Sequence, residues 1–336
     1  MDLKLLLKRG ALLAAANWPA VAIQFVDQTT FQVLLAVPIV GAAILIAVLL
    51  GADLAQLLQG SLREIFTTIA STLMSEPVAL VSFMTAFSIV LLGGSGLMFL
   101  VKGGTIDVLL AANDVAGPIE RGPITFETLR GASGFTLPRF TNGCARLFGR
   151  YLALGVWLML VYAASTAAYL GFVVYGYRAA GDRVLLIEWT FIAALAAGVL
   201  IAWITLINFV YLLLQIAVAV DDVGVVEAFH AAARFVGAQF RDLAGVFVVV
   251  LALVIAATLA SALTWSGVGL IAFVPLVGLA VFPLQIAALL LRGLAFEYIG
   301  LAALGAYVTL YSSHARRLGE ALGRSQLLST PLEHPV

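Results

Sequence analysis

Long uncharged runs separated by short charged stretches set the rhythm of this chain. Residues 31–50 and 77–101 carry no charge, 151–177 lies between Arg150 and Arg178, 189–220 between Glu188 and Asp221, and 244–265 follows Asp242. A helix needs about 20 apolar residues to cross a hydrocarbon core. Each of these five runs therefore predicts a transmembrane helix. Residues 267–313 are charged only at Arg292 and Glu297. They read either as two spans turning at Arg292, or as an outer segment broken by Pro275 and Pro283 ahead of one span at about 286–312. Basic residues favour the second reading, because cytoplasmic loops are enriched in Lys and Arg. Six spans with the N-terminus inside put 14 of the 18 basic residues on the cytoplasmic side, against 12 for seven spans. The expected fold is all-α: a polytopic transmembrane bundle of six spans (alternative seven) with amphipathic membrane-surface helices.

The chain reads as a single integral membrane domain, residues 1–336. Its parts are an N-terminal amphipathic helix within 1–30, spans at about 31–50, 77–101, 151–177, 189–218, 244–265 and 286–312, a cytoplasmic loop at 102–150 and a cytoplasmic tail at 313–336. Lys4, Lys8 and Arg9 could head a signal peptide, but Trp18-Pro19 interrupts the short apolar stretch behind them. Residues 3–17 are read as a surface helix instead. Basic amphipathic stretches precede a span again at 139–150 and 224–241. In the latter, Val225, Val226, Phe229, Ala232, Phe235, Val236 and Phe240 form an apolar stripe flanked by Glu227, His230, Arg234 and Arg241. That pattern suits a helix lying among lipid headgroups. Arg139, Arg146, Arg150, Arg234 and Arg241 are the expected headgroup contacts. Residues 61–75 have a similar character on the opposite side.

Composition agrees. Apolar residues make up 63% of the chain and charged residues 11%, against roughly 25% charged in a soluble domain. Zero net charge gives no basis for nucleic-acid binding. The single cysteine, Cys144, excludes an internal disulfide. None of His230, His314 and His334 is read as standing at metal-ligand spacing with another His, Cys or carboxylate, HExxH is absent, and no cofactor is implied. Lys102-Gly103-Gly104-Thr105 superficially resembles a phosphate loop without its GxxxxGK[ST] order. Gly94-Ser95-Gly96 reads as a close helix contact rather than a serine nucleophile.

Polar groups at membrane depth are the remaining candidates, because burying them is costly. Glu297 shares a helical face with Gly293, Gly300, Leu304, Tyr307 and Tyr311, where the glycines would admit another helix. Thr205, Asn208 and Gln215, flanked by Tyr211, form a second polar line. The expectation is that spans four and six pack together, with Asn208 or Gln215 facing Glu297 or Tyr307.

The stretch from Gly224 to Val236, G-V-V-E-A-F-H-A-A-A-R-F-V, resembles a segment "gv-x-EAl-x-x-S-x-x-l" found ahead of a span in uncharacterised bacterial membrane families. Those families include the membrane domain associated with glycerophosphodiester phosphodiesterases. Asn17-Trp18-Pro19 is similar to their opening. Ala232 or Ala233 stands where a serine is common. The resemblance implies a six-span bundle with surface helices; the expected location is the cell (inner or plasma) membrane of a bacterium, with both termini cytoplasmic. The phosphodiesterase domain has no counterpart in this chain.

Functionally, the first expectation is a non-enzymatic accessory or organising membrane component that contacts lipids and another membrane or cytoplasmic protein. The alternative is a transporter or channel-like protein for a lipid or amphipathic solute. That reading requires Glu297 and the polar line of span four to meet in a cavity. An intramembrane enzyme would need a nucleophile–base or metal constellation, and none is visible.

Overall fold

A computed structural model describes residues 2–50, 75, 77–179, 183–272 and 277–329. The expected surface stretch over residues 61–74, Pro275 and the tail beyond residue 329 lie outside these. The regular structure of the described residues is entirely α-helical: α1 (Leu3–Ala16), α2 (Trp18–Leu50), α3 (Pro77–Val115), α4 (Phe126–Gly131), α5 (Leu137–Ala179), α6 (Arg183–Asp221), α7 (Val225–Ala272) and α8 (Val277–Ser329). Among the described residues, six helices are long and apolar enough to cross a membrane, within Trp18–Gly41, Leu80–Val115, Leu137–Ala179, Glu188–Asp221, Val225–Leu263 and Pro283–Glu320. The chain is a multi-pass α-helical membrane protein, with six candidate spans among the described residues. Pro283 sits inside α8 and does not break it.

The described residues form two compact units, one of residues 1–22 and 102–336, the other of residues 23–101. In the smaller unit, Gly94 is packed against the ring of Phe31: a Cβ built there would lie 2.2 Å from it. Close contact therefore accounts for the glycine, as its sequence context suggests.

The helices of the larger unit outrun a bilayer. The 53 residues of α8 correspond to roughly 80 Å of helix, against a hydrocarbon core of about 30 Å. Burial is concentrated at one end. It runs through the C-terminal part of α3, the start of α5, residues 211–219 of α6, 228–246 of α7 and 301–312 of α8. Elsewhere α5 to α8 present leucine, isoleucine, valine and aromatic side chains outward, as helices facing lipid do.

Three expectations are corrected at the packed end. First, α1 is not a surface helix. Leu6, Leu12, Leu13 and Ala14 are buried, and α1 crosses α8 where Gly10 meets Ala302 and Ala306. Gly305 completes the crossing, so two backbones approach with almost nothing between them. Second, the helix that carries the first span begins at Trp18, well ahead of the uncharged run at 31–50. Proline is tolerated in a first helical turn, so Trp18-Pro19 opens α2 instead of blocking it. Third, residues 102–150 are largely helical. α3 runs on to Val115, and α5 starts at Leu137, so the stretch 139–150 belongs to a span helix. A Cβ on Gly104 would lie 2.7 Å from both Cys144 Sγ and the Phe140 carbonyl. The Lys-Gly-Gly-Thr string is thus a helix crossing, not a loop around phosphate.

The helix expected ahead of span five is present as the first part of α7, set off from the rest by a kink at Gln239 (φ −126°, ψ 24°). Its apolar stripe is divided. Ala232 and Phe235, with Ala228, face the unit, where Phe235 packs on Tyr311. Val226, Phe229 and Phe240 face outward.

Candidate functional site

The packed end is organised around a buried arginine. Arg9 sits on the face of α1 turned toward α3 and α8 and is 9% exposed. Its Nε donates to Asn113 Oδ1 at 3.0 Å, its Nη2 to the Asn113 carbonyl at 2.9 Å, and its Nη1 to Glu120 Oε2 at 2.9 Å. Nη1 also reaches the carbonyl of Gly117. Gly117 has φ +53°, a left-handed turn that glycine adopts without strain. That turn brings the chain beyond α3 back to Arg9. Thr309 on α8 donates to the same Asn113 oxygen at 3.0 Å. Glu120 is 6% exposed, so the ion pair is desolvated and multiply hydrogen-bonded.

Asn17 performs a second closure. Its Nδ2 donates to the Leu13 carbonyl, terminating α1, while its Oδ1 accepts from the backbone N–H of Gly134 at 2.8 Å and of Phe135 at 3.0 Å. The break between α1 and α2 thereby anchors the segment leading into α5.

Charges on the rim are paired as well. Arg146 contacts Asp107 at 2.7 Å and Asp222 at 3.5 Å; Arg150 contacts Asp222 at 2.6 Å. Arg316 pairs with Asp114, and Tyr311 donates to Asp221. Arg146 and Arg150, expected at lipid phosphates, are therefore committed to carboxylates at the junction of α3, α5 and the α6–α7 turn. Arg139, Arg234 and Arg241 are exposed and form no ion pair among the described residues.

Asp222 holds that turn in a left-handed conformation, φ 54°. Its hydrogen bond and attraction to Arg150 hold its carboxyl below the usual carboxylate range. A depressed folded-state pKa contributes stability above the unfolded-state value, and that contribution is lost as pH falls through the folded-state value. Acidification below about pH 4 should therefore loosen this junction. Asp222→Asn keeps a residue tolerant of left-handed backbone and should flatten the acid limb of thermal stability in detergent. An unchanged acid limb would contradict this assignment.

The candidate intramembrane residues do not converge as expected. Asn208 Oδ1 accepts from Tyr162 on α5 rather than facing span six. It belongs to a seam in which Tyr151 donates to the Gln215 carbonyl, Trp203 to Ser165, Tyr169 to the Ala193 carbonyl and Trp189 to the Val173 carbonyl. Thr205 bonds back to its own helix at Ile201. Gln215 is buried, with its side chain beside the Tyr211 hydroxyl of the same helix. Spans four and six do touch, but through rings: Phe209 packs edge-on against Tyr307 at 5.5 Å and against Phe247 of α7 at 5.1 Å. Glu297 is half-buried, and Gly300 faces open space rather than a neighbouring helix. Sequence reading missed Asp27, a 7%-exposed carboxylate of α2 inside the first candidate span. It was overlooked because the span was read as starting after it.

Among the described residues, no three His, Cys, Asp or Glu side chains are grouped to hold a metal ion. No protein-family model matches the chain, and neither a curated protein nor a solved structure gives a significant match.

Proposed function

We propose that this chain is a non-enzymatic component of a bacterial inner membrane, with both termini cytoplasmic, that offers its packed end as a preformed docking face for a membrane or cytoplasmic protein. The observation that carries this reading is the Arg9–Asn113–Glu120–Thr309 network. It ties the first, third and last long helices and an interhelical connection into one structure. Buried ionic networks are costly to assemble, and here the outlay preorganises a face at the end richest in charge. Ile124 and Phe126, exposed on the connection between α3 and α5, supply apolar anchors for a partner. The likeness of residues 224–236 to a segment ahead of a span in uncharacterised bacterial membrane families fits the same proposal, since α7 sets a kinked surface segment before its span.

The transporter reading receives less support. It relies on Glu297 meeting Asn208 or Gln215, and the amide of Asn208 is engaged by Tyr162.

Mild extraction from the native host, followed by mass spectrometry, should recover a stoichiometric protein that Ile124→Ser/Phe126→Ser releases. A chain recovered alone with a bound solute would overturn the docking role. Orientation is tested separately. A membrane-impermeant thiol reagent should label Arg178→Cys in intact cells and Glu127→Cys only after permeabilisation. The reverse pattern would invert the topology.

A further inference from the structure

The first part of α7 has three distinct faces. Ala228, Ala232 and Phe235 are buried against the unit. At the same helical spacing, Val226 (72% exposed) and Phe229 (57%) form an outward apolar face. Glu227, His230 and Arg234 form the third face and are exposed. A helix with one side on protein, one apolar and one charged is at home only at the boundary of a bilayer, where hydrocarbon and headgroups meet.

The apolar face does not end at the helix. Val226 and Phe229 form one wall of an open cleft of about 390 Å³ whose other walls are Trp157, Leu158 and Val161 of α5 and Leu214 of α6. The cleft lies between two spans and a surface helix. Its polar fittings are Tyr211 at its wall and the ring of His230 at its rim. The Nδ1–H of His230 faces the Val226 carbonyl at 2.9 Å and can only donate to it, which turns Nε2 away from the helix. Arg234 lies one turn further on.

We infer that this cleft is a binding site for one acyl chain of an anionic phospholipid, with the phosphate held at the edge made by His230 and Arg234. Three properties select that occupant. The lining is hydrocarbon-like and opens where lipid is the solvent. The rim carries the charge of Arg234, which has no ion-pair partner among the described residues, and so complements a phospholipid of net negative charge over a zwitterionic one whose own cation offsets its phosphate. The wall and the rim lie on adjacent faces of one helix, so tail and headgroup are engaged together. The inference uses the membrane-embedded reading and is independent of a protein partner at the other connections.

Trp157 lines the cleft and is itself 64% exposed, which makes it the probe. The full chain is reconstituted in phosphatidylcholine vesicles containing increasing fractions of brominated phosphatidylglycerol or brominated phosphatidylcholine. The fluorescence assigned to Trp157 is the difference between wild type and Trp157→Phe. It should be half-quenched at about fivefold lower mole fraction of the anionic lipid, the advantage expected of one arginine at a charged interface. In His230→Gln/Arg234→Gln the two curves should converge while the phosphatidylcholine curve stays in place. That unmoved curve also reports an intact cleft. Equal quenching in the wild type would mean ordinary boundary lipid and overturn the site. A preference that survives the double substitution would remove the rim from it. Absence of quenching by either lipid would mean that protein, a second copy included, covers the cleft.

Discussion

Replacing Arg9 with methionine is expected to cost about 3–5 kcal/mol, the usual penalty for leaving a buried charge without its partner. Glu120 is 6% exposed, and Arg9 is the side chain that compensates it. The loss should appear as a large drop in thermal midpoint in detergent and as loss of the monodisperse fraction. A charge-neutral double replacement, Arg9→Met/Glu120→Met, should recover much of the stability, because no bare carboxylate then remains. If the single variant unfolds no earlier than wild type, the network does not hold the packed end together. If the double variant is as unstable as the single, the hydrogen bonds to Asn113, rather than the charge pair, dominate.

The second large effect is expected at Gly10. A methyl group there would sit 2.3 Å from the Ala302 carbonyl and 2.8 Å from the Ala306 nitrogen, both backbone atoms of α8. A side chain can rotate away, but a helix backbone cannot. Gly10→Ala must therefore push α1 off α8 and strain the Arg9 contacts one residue away. Overpacking of this kind costs about 1–3 kcal/mol. Gly10→Val should be worse, and Gly300→Ala, which faces open space, should be close to neutral. Paired melting curves for Gly10→Ala and Gly300→Ala make the comparison. Equal behaviour of the two would show that the crossing is not tight.

The contrast between these glycines marks how far the sequence could be read. Span number was legible because hydrocarbon imposes a length on each helix, and the basic residues chose six over seven. The surface segment of α7 was legible because its periodicity changes before the span begins. Helix ends were not. Trp18-Pro19 looks like a barrier yet opens α2, and Asp27 discouraged reading that helix as a span. Gly300 looked like part of a contact face but meets open space, while crossings formed at Gly10, Gly104 and Gly305. A glycine permits close approach without naming the approaching helix, and that information is distributed over the whole fold. Arg9 shows the same limit. Next to Lys4 and Lys8 it reads as one more cation on a surface helix, and its partners lie more than a hundred residues away. Asn208 was rightly expected to need a partner in the bilayer; its partner turned out to be Tyr162.

The separation between these partners bears on how the protein is made. Tyr298 near the end of the chain donates to the carbonyl of Ala11, and Thr309 shares an acceptor with Arg9. The α5–α6 pair can zip together as soon as both helices have entered the bilayer, since its donors and acceptors lie close in sequence. The packed end cannot close until the last helix arrives. For most of translation, then, the nascent chain carries Arg9 and Glu120 without the α8 wall that shields them, and quality-control proteases see an unfinished core. Truncation before α8 should therefore shorten the lifetime of the whole membrane protein and not merely remove a span.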